Sequence, residues 1–153
     1  MTEVFVDTGA WIACINPHDQ NYQQATSYLV DLRKSNTIMV TSDYIIDETL
    51  TWLRYNVNHH AAVNVMNQWK EAEKIKILTV EWITAEMAEQ AWEIFRRYQD
   101  QKLSFTDCTS FVVCRTRKIV NVFGFDRDFN TLGFLLSPFQ VHEEKAEYHI
   151  LKP

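Results

Sequence analysis

The sequence predicts an α/β fold: a three-layer sandwich in which a central parallel sheet of four to five strands is flanked by helices. Three observations predict it. Short apolar runs of strand length alternate with longer amphipathic stretches. The run Val4-Phe5-Val6 is continuously apolar rather than alternating, which is the signature of a strand buried on both faces. The first run, Val4-Phe5-Val6, stops abruptly on Asp7-Thr8-Gly9, and in open α/β sheets ligands bind outside such strand ends.

Taken in order, Val4–Val6 is the first strand and ends on a carboxylate; Gly9 permits a sharp turn after it. Trp11 and Ile12 open a short helical stretch. Residues 21–34 carry Ala25, Tyr28, Leu29 and Leu32 at helical spacing. Thr37-Ile38-Met39-Val40 reads as the second strand, and Ser42 caps a helix through about Val57. His59 to about Ala72 is a further helix, with Ala62, Val65, Met66 and Trp69 on one face. Ile75-Lys76-Ile77-Leu78 is read as a third strand. Residues 81–99 form an amphipathic helix with Ala88, Ala91, Trp92, Phe95 and Tyr98 as its apolar stripe. Ser104 starts a helix to about Thr116, and Ile119–Phe123 is the fourth strand. Residues 134–141 are an edge-strand candidate that Pro138 restricts, and Tyr148–Leu151 is a further short one.

Composition bounds the function. The 153 residues, 46% apolar and 23% charged, are those of one ordinary globular domain, expected over residues 1–141 with a polar tail at 142–153. No apolar run approaches the ~20 residues of a membrane span. The start, with acidic Glu3 and a short apolar run, does not read as a signal peptide. Cys14, Cys108 and Cys114 are odd in number and form no CxxC, so neither a disulfide scaffold nor a zinc site is expected, and a reducing cytoplasm fits. A net charge of -5 speaks against broad nucleic-acid binding, but not against an enzyme that reaches phosphates through metal ions.

Four acids resist a purely structural explanation. Asp7 follows the first strand. Glu48 has Tyr44, Ile45 and Trp52 as helical neighbours, which puts it at the edge of a buried face; the alternative is a salt-bridged surface acid. Asp107 lies three residues after Ser104, a capping-box arrangement that also stabilises an ionised carboxylate at a helix N-terminus. Asp126 follows the fourth strand at the same sheet end as Asp7. Asp128 is either a second ligand or a capping acid, and capping is the preferred reading. At ~4 Å and an effective dielectric of about 20, each pair of carboxylates would repel by roughly 4 kcal/mol. Such a group shares protons or binds a hard divalent cation, Mg²⁺ or Mn²⁺. Thr8 and Thr106 adjoin two of the acids and could hold carboxylates, water or substrate.

Val6-Asp7-Thr8-Gly9-Ala10, Thr41-Ser-Asp-Tyr with Asp47-Glu48-Thr49-Leu50, Leu103-Ser-Phe-Thr-Asp107-Cys and Phe125-Asp126-Arg-Asp128-Phe129 together resemble the PIN domain, and most closely its VapC-type toxin ribonucleases. The resemblance covers nearly the whole chain in the family's order. It implies an acidic pocket at the strand ends, with Asp7, Glu48, Asp107 and Asp126 as its quartet, Thr8 and Thr106 as accompanying hydroxyls, and Asp128 at a position acidic in some members. It also implies RNA cleavage with Mg²⁺ or Mn²⁺ to 5′-phosphate and 3′-hydroxyl products, and a small antitoxin that lays a helix in a groove of the toxin. Phe125 stands where a polar residue is usual.

Other classes fit less well. Aspartyl-phosphate phosphatases need a second acid two residues after the first, where this chain has Gly9; receiver domains need an acid pair before their nucleophile, which Thr2-Glu3 supplies poorly. A housekeeping RNA-processing nuclease and a catalytically silent protein-binding module of the same fold remain as alternatives. Arg54, Arg96, Arg97, Lys102, Arg115, Arg117, Lys118 and Arg127 are candidate phosphate contacts, most of them expected to be ordinary surface residues. Trp11 either stacks a base or belongs to the core, the core being favoured. The five tryptophans leave room for an apolar groove or a homodimer surface.

Overall fold

The computed structural model describes residues 1–138; the tail at 142–153, with the strand expected at 148–151, lies outside them. The chain runs β1 (Thr2–Val6), α1 (Thr8–Ile15), α2 (Tyr22–Lys34), β2 (Thr37–Ser42), α3 (Asp43–Asn56), α4 (His59–Lys74), β3 (Leu78–Glu81), α5 (Ala85–Arg97), α6 (Phe105–Arg117), β4 (Asn121–Phe123), α7 (Asp128–Thr131) and β5 (Leu135–Ser137). The five strands form one sheet in the order β3-β2-β1-β4-β5, every pairing parallel.

This order positions the site. The chain leaves β1 toward β2 and β3 on one side and returns to β4 on the other. The crevice beyond the carboxyl ends of β1 and β4 is therefore the topological switch point, where α/β sheets take their ligands. β1 is central: Phe5 pairs with Val40 of β2 and with Val122 of β4. Phe5, Val6, Val40, Val122 and Phe123 have no exposed surface. Tyr28 meets Phe123 edge-on at 4.8 Å between ring centres, tying α2 to the sheet. In α6 every residue from Cys108 to Cys114 is buried, so this helix is wrapped by protein on all sides. Phe111, Phe129 and Phe134 close the core around α7, with Phe111 and Phe129 5.0 Å apart.

Four elements differ from the sequence reading. β3 lies at Leu78–Glu81, not Ile75–Leu78. Ile75 terminates α4 and Lys76 turns the chain at φ 64°, so the apparent alternation of Ile75-Lys76-Ile77 is a helix ending. α5 begins only after Thr84, whose hydroxyl accepts from the Met87 N–H. Its buried face is Met87, Ala91 and Ile94, while Trp92 and Phe95 stay exposed and stack on each other at 5.7 Å. β4 is shorter at its start, because Ile119 still bonds back to Cys114 and Lys118 takes the left-handed turn at φ 58°. The short helix α7 was not expected. β5 falls inside the expected 134–141 segment and ends just before Pro138.

Candidate active site

Asp7 is the last residue before α1 and its backbone N–H donates to the Phe123 carbonyl at 3.0 Å, which locks the ends of β1 and β4 side by side. It is buried, at 6% exposure. Burial, then the charges of Asp107, Asp126 and Glu48, push its carboxyl up to about 8, against a smaller opposing pull from the Thr8 backbone. Gly124 gives this carboxylate its room: a Cβ there would meet the Asp7 Cβ at 3.2 Å. Sequence reasoning passed over Gly124, although a lone glycine directly after a strand marks a close approach.

Asp107 is delivered by the start of α6. The Ser104 hydroxyl accepts from the Asp107 N–H at 3.0 Å, and the Asp107 Oδ2 accepts from the Ser104 N–H at 3.0 Å. This reciprocal cap is the arrangement expected from the sequence, and it fixes one carboxylate oxygen while leaving the other available. Burial and the charges of Asp126 and Glu48 raise its carboxyl to about 6, with the Ser104 hydrogen bonds opposing.

Asp126 and Asp128 both stand in the acid group, and the turn-making role read for Asp128 falls to Asp126. The Asp126 Oδ1 accepts from the Asp128 N–H at 3.0 Å, so Asp126 makes the turn into α7. Asp128 does not cap that helix; the cap position is Arg127, without a side-chain cap bond. Instead the carboxylates of Asp107, Asp126 and Asp128 each offer an oxygen within 4.8 Å of the others. Burial and the neighbouring Asp126 raise the Asp128 carboxyl. The Asp-x-Asp spacing gave no means of telling the two apart, because either acid can turn the chain.

Glu48 is exposed on α3 rather than half-buried, so the cost of an unpaired buried carboxylate does not apply to it. Its charge nonetheless acts on both Asp7 and Asp107, which places it on the rim of the same bowl. Asp7 and Glu48 are not part of the tight group of three. The structure thus brings all five acids to one sheet end, with Asp107, Asp126 and Asp128 closest together. Thr8 and Thr106 line a cleft against this group. The Thr8 Oγ1 is buried without a hydrogen-bond partner.

The donors fit a hard divalent cation: carboxylate oxygens only, and crowded. The cysteines do not compete. All three are free, and burial pushes Cys14 up to about 12 and Cys108 up to about 11, so neither is a ready thiolate ligand. Trp11 is core: buried, edge-on to Trp69 at 5.3 Å, its Nε1–H donating to the Thr41 Oγ1. Among the candidate phosphate contacts, Arg117 is committed to Glu3 and Glu81 at 2.7 and 2.9 Å, and Arg96 pairs with Glu93.

A family model described as the PIN domain matches residues 4–135. The 23S rRNA-specific endonuclease VapC20 of Mycobacterium tuberculosis is 36% identical over 135 residues, 86% of this chain and 95% of the relative. The crystal structure of that protein, described as a Sarcin-Ricin loop cleaving toxin, superposes with a TM-score of 0.75 at 34% identity, over 86% of this chain and 96% of the other. VapBC2 from Rickettsia felis, bound to a DNA fragment from its promoter, shares the fold alone, with a TM-score of 0.63 at 14% identity over 89% of this chain and 98% of that one. Matched along most of its length and carrying its acids at the switch point of a five-stranded parallel sheet, this chain belongs to the PIN domain family.

Proposed function

We propose that the protein is a divalent-metal-dependent endoribonuclease and the toxin of a type II toxin–antitoxin pair. The observation that carries the reading is the gathering of Asp107, Asp126 and Asp128 within 4.8 Å, beside buried Asp7 and the rim acid Glu48. The similarity to an rRNA-specific endonuclease at 36% identity supports RNA as the substrate. A small antitoxin is the expected partner, a homodimer is compatible with the exposed aromatics of α5, and the cytoplasm is the compartment where such a substrate resides.

Asp7, Glu48, Asp107 and Asp126 would hold Mg²⁺ or Mn²⁺, with Asp128 completing the set around Asp126. When bound, such an ion lowers the pKa of a water and offsets charge building on the phosphate oxygens. The chain's own part is to fix the oxygens. Ser104 pins one oxygen of Asp107, and Asp126 is pinned by the Asp128 N–H. Gly124 leaves space for Asp7 to turn toward the crevice. Thr8 and Thr106 line the cleft together with Glu48.

The test is cleavage of a structured RNA with Mn²⁺ by purified wild type, Asp7→Asn and Asp107→Asn. Each substitution is expected to slow cleavage by roughly 100-fold or more, about 3 kcal/mol of barrier, with the fold retained by circular dichroism. Full activity in both variants would overturn the assignment.

A further inference from the structure

A cleft of about 560 Å³ runs along α3 and shares Glu48 with the acid group. Thr8, Thr106, Asp47, Glu48, Trp52 and Tyr55 line it. Glu48, Trp52 and Tyr55 sit at helical spacings of four and three, so one face of α3 forms the wall, covering about 10 Å along the axis. Two features of this cleft have no structural partner among the described residues. Tyr55 is 84% exposed, a ring left unpacked by the described residues. The Oγ1 of Thr8, a residue of the cleft lining, is buried without a hydrogen-bond partner.

The chemistry of the lining selects the occupant. Among the described residues that line it there is no lysine, arginine or histidine, and two are acids. A phosphate would be repelled. A neutral, planar group that stacks on an aromatic ring and carries N–H donors would be accepted. We propose that this cleft is a nucleobase subsite: it seats one unpaired base adjoining the scissile phosphate, with Tyr55 and Trp52 as the stacking surface and the Thr8 side chain in its wall. The proposal rests on the ribonuclease reading of the acids and adds to it the part that positions the substrate. A base held within a duplex cannot enter the cleft, so the base it seats is unpaired. Tyr55 is a positioning residue here.

The experiment uses the full chain carrying Asp7→Asn to block cleavage, with and without Tyr55→Ala or Tyr55→Phe. Binding of a fluorescent hexanucleotide RNA in Mn²⁺ is read by anisotropy, against the same strand with one abasic site. The Asp7→Asn protein is expected to bind the intact strand roughly tenfold or more tightly than the abasic one. Tyr55→Ala should abolish that difference, and Tyr55→Phe should keep it. In otherwise wild-type enzyme, Tyr55→Ala should raise KM with little change in kcat. If Tyr55→Ala binds both strands as the parent does, within twofold, the subsite is refuted while the acids' role stands. Persisting cleavage by Asp7→Asn strikes instead at the nuclease assignment and leaves the binding comparison to decide the cleft.

Discussion

Asp7 concentrates the tension of the site in one side chain. A carboxylate buried beside Asp107, Asp126 and Glu48 is costly, and without a cation it keeps its proton up to about pH 8. The folded chain therefore binds that proton more tightly than the unfolded chain, whose aspartates titrate near 3.8. Metal-free protein should accordingly lose stability as pH rises from about 4 through about 8, with Asp107 adding to the fall between about 4 and 6. Thermal unfolding in chelator at pH 5 and pH 8 checks this. Asp7→Asn should flatten the slope and leave the variant more stable than wild type at pH 8; an unchanged slope would contradict the account. Most of this was legible in the sequence. An acid ending the first apolar run, one at a helix start and one after the fourth strand all converge. What was not legible is which member of Asp126-Arg127-Asp128 turns the chain, since that depends on where a four-residue helix begins.

At the scale of elements, the site depends on how helices begin. α6 runs away from the acids into the core with seven consecutive buried residues, so its first turn is held from behind. The Ser104–Asp107 cap then sets the direction of one carboxylate. Ser104→Ala should cost about 1 kcal/mol in urea unfolding, the usual loss for a helix cap. It should also weaken Mn²⁺ binding, because the Asp107 backbone loses its anchor. A variant with unchanged stability and unchanged metal affinity would show that the cap does not position Asp107. The same principle explains what the sequence concealed. In α5, the stripe Ala88-Trp92-Phe95 and the stripe Met87-Ala91-Ile94 lie one residue apart on the helix and are both apolar. Periodicity finds the helix but cannot choose between adjacent faces, and packing against α6 selects the smaller side chains. For β3, the β-like alternation of Ile75-Lys76-Ile77 lost to a helix stop with Lys76 at positive φ.

At the scale of the whole molecule, strand order does what no local segment can. Asp7 and Asp126 are 119 positions apart in sequence, yet they flank one crevice because β4 returns beside β1. Alternating apolar and amphipathic segments disclose a parallel sheet, but not that β1 would be its centre; that follows from all pairings together. The sheet therefore supplies a negative bowl at one end, and the central claim is that this bowl is one divalent-ion site. Calorimetric titration of Mn²⁺ into chelator-stripped protein, wild type beside Asp107→Asn, tests it most directly. The account predicts saturable binding to wild type that weakens at least tenfold in the variant. Saturable binding of equal strength in both proteins, or none in wild type, would contradict it.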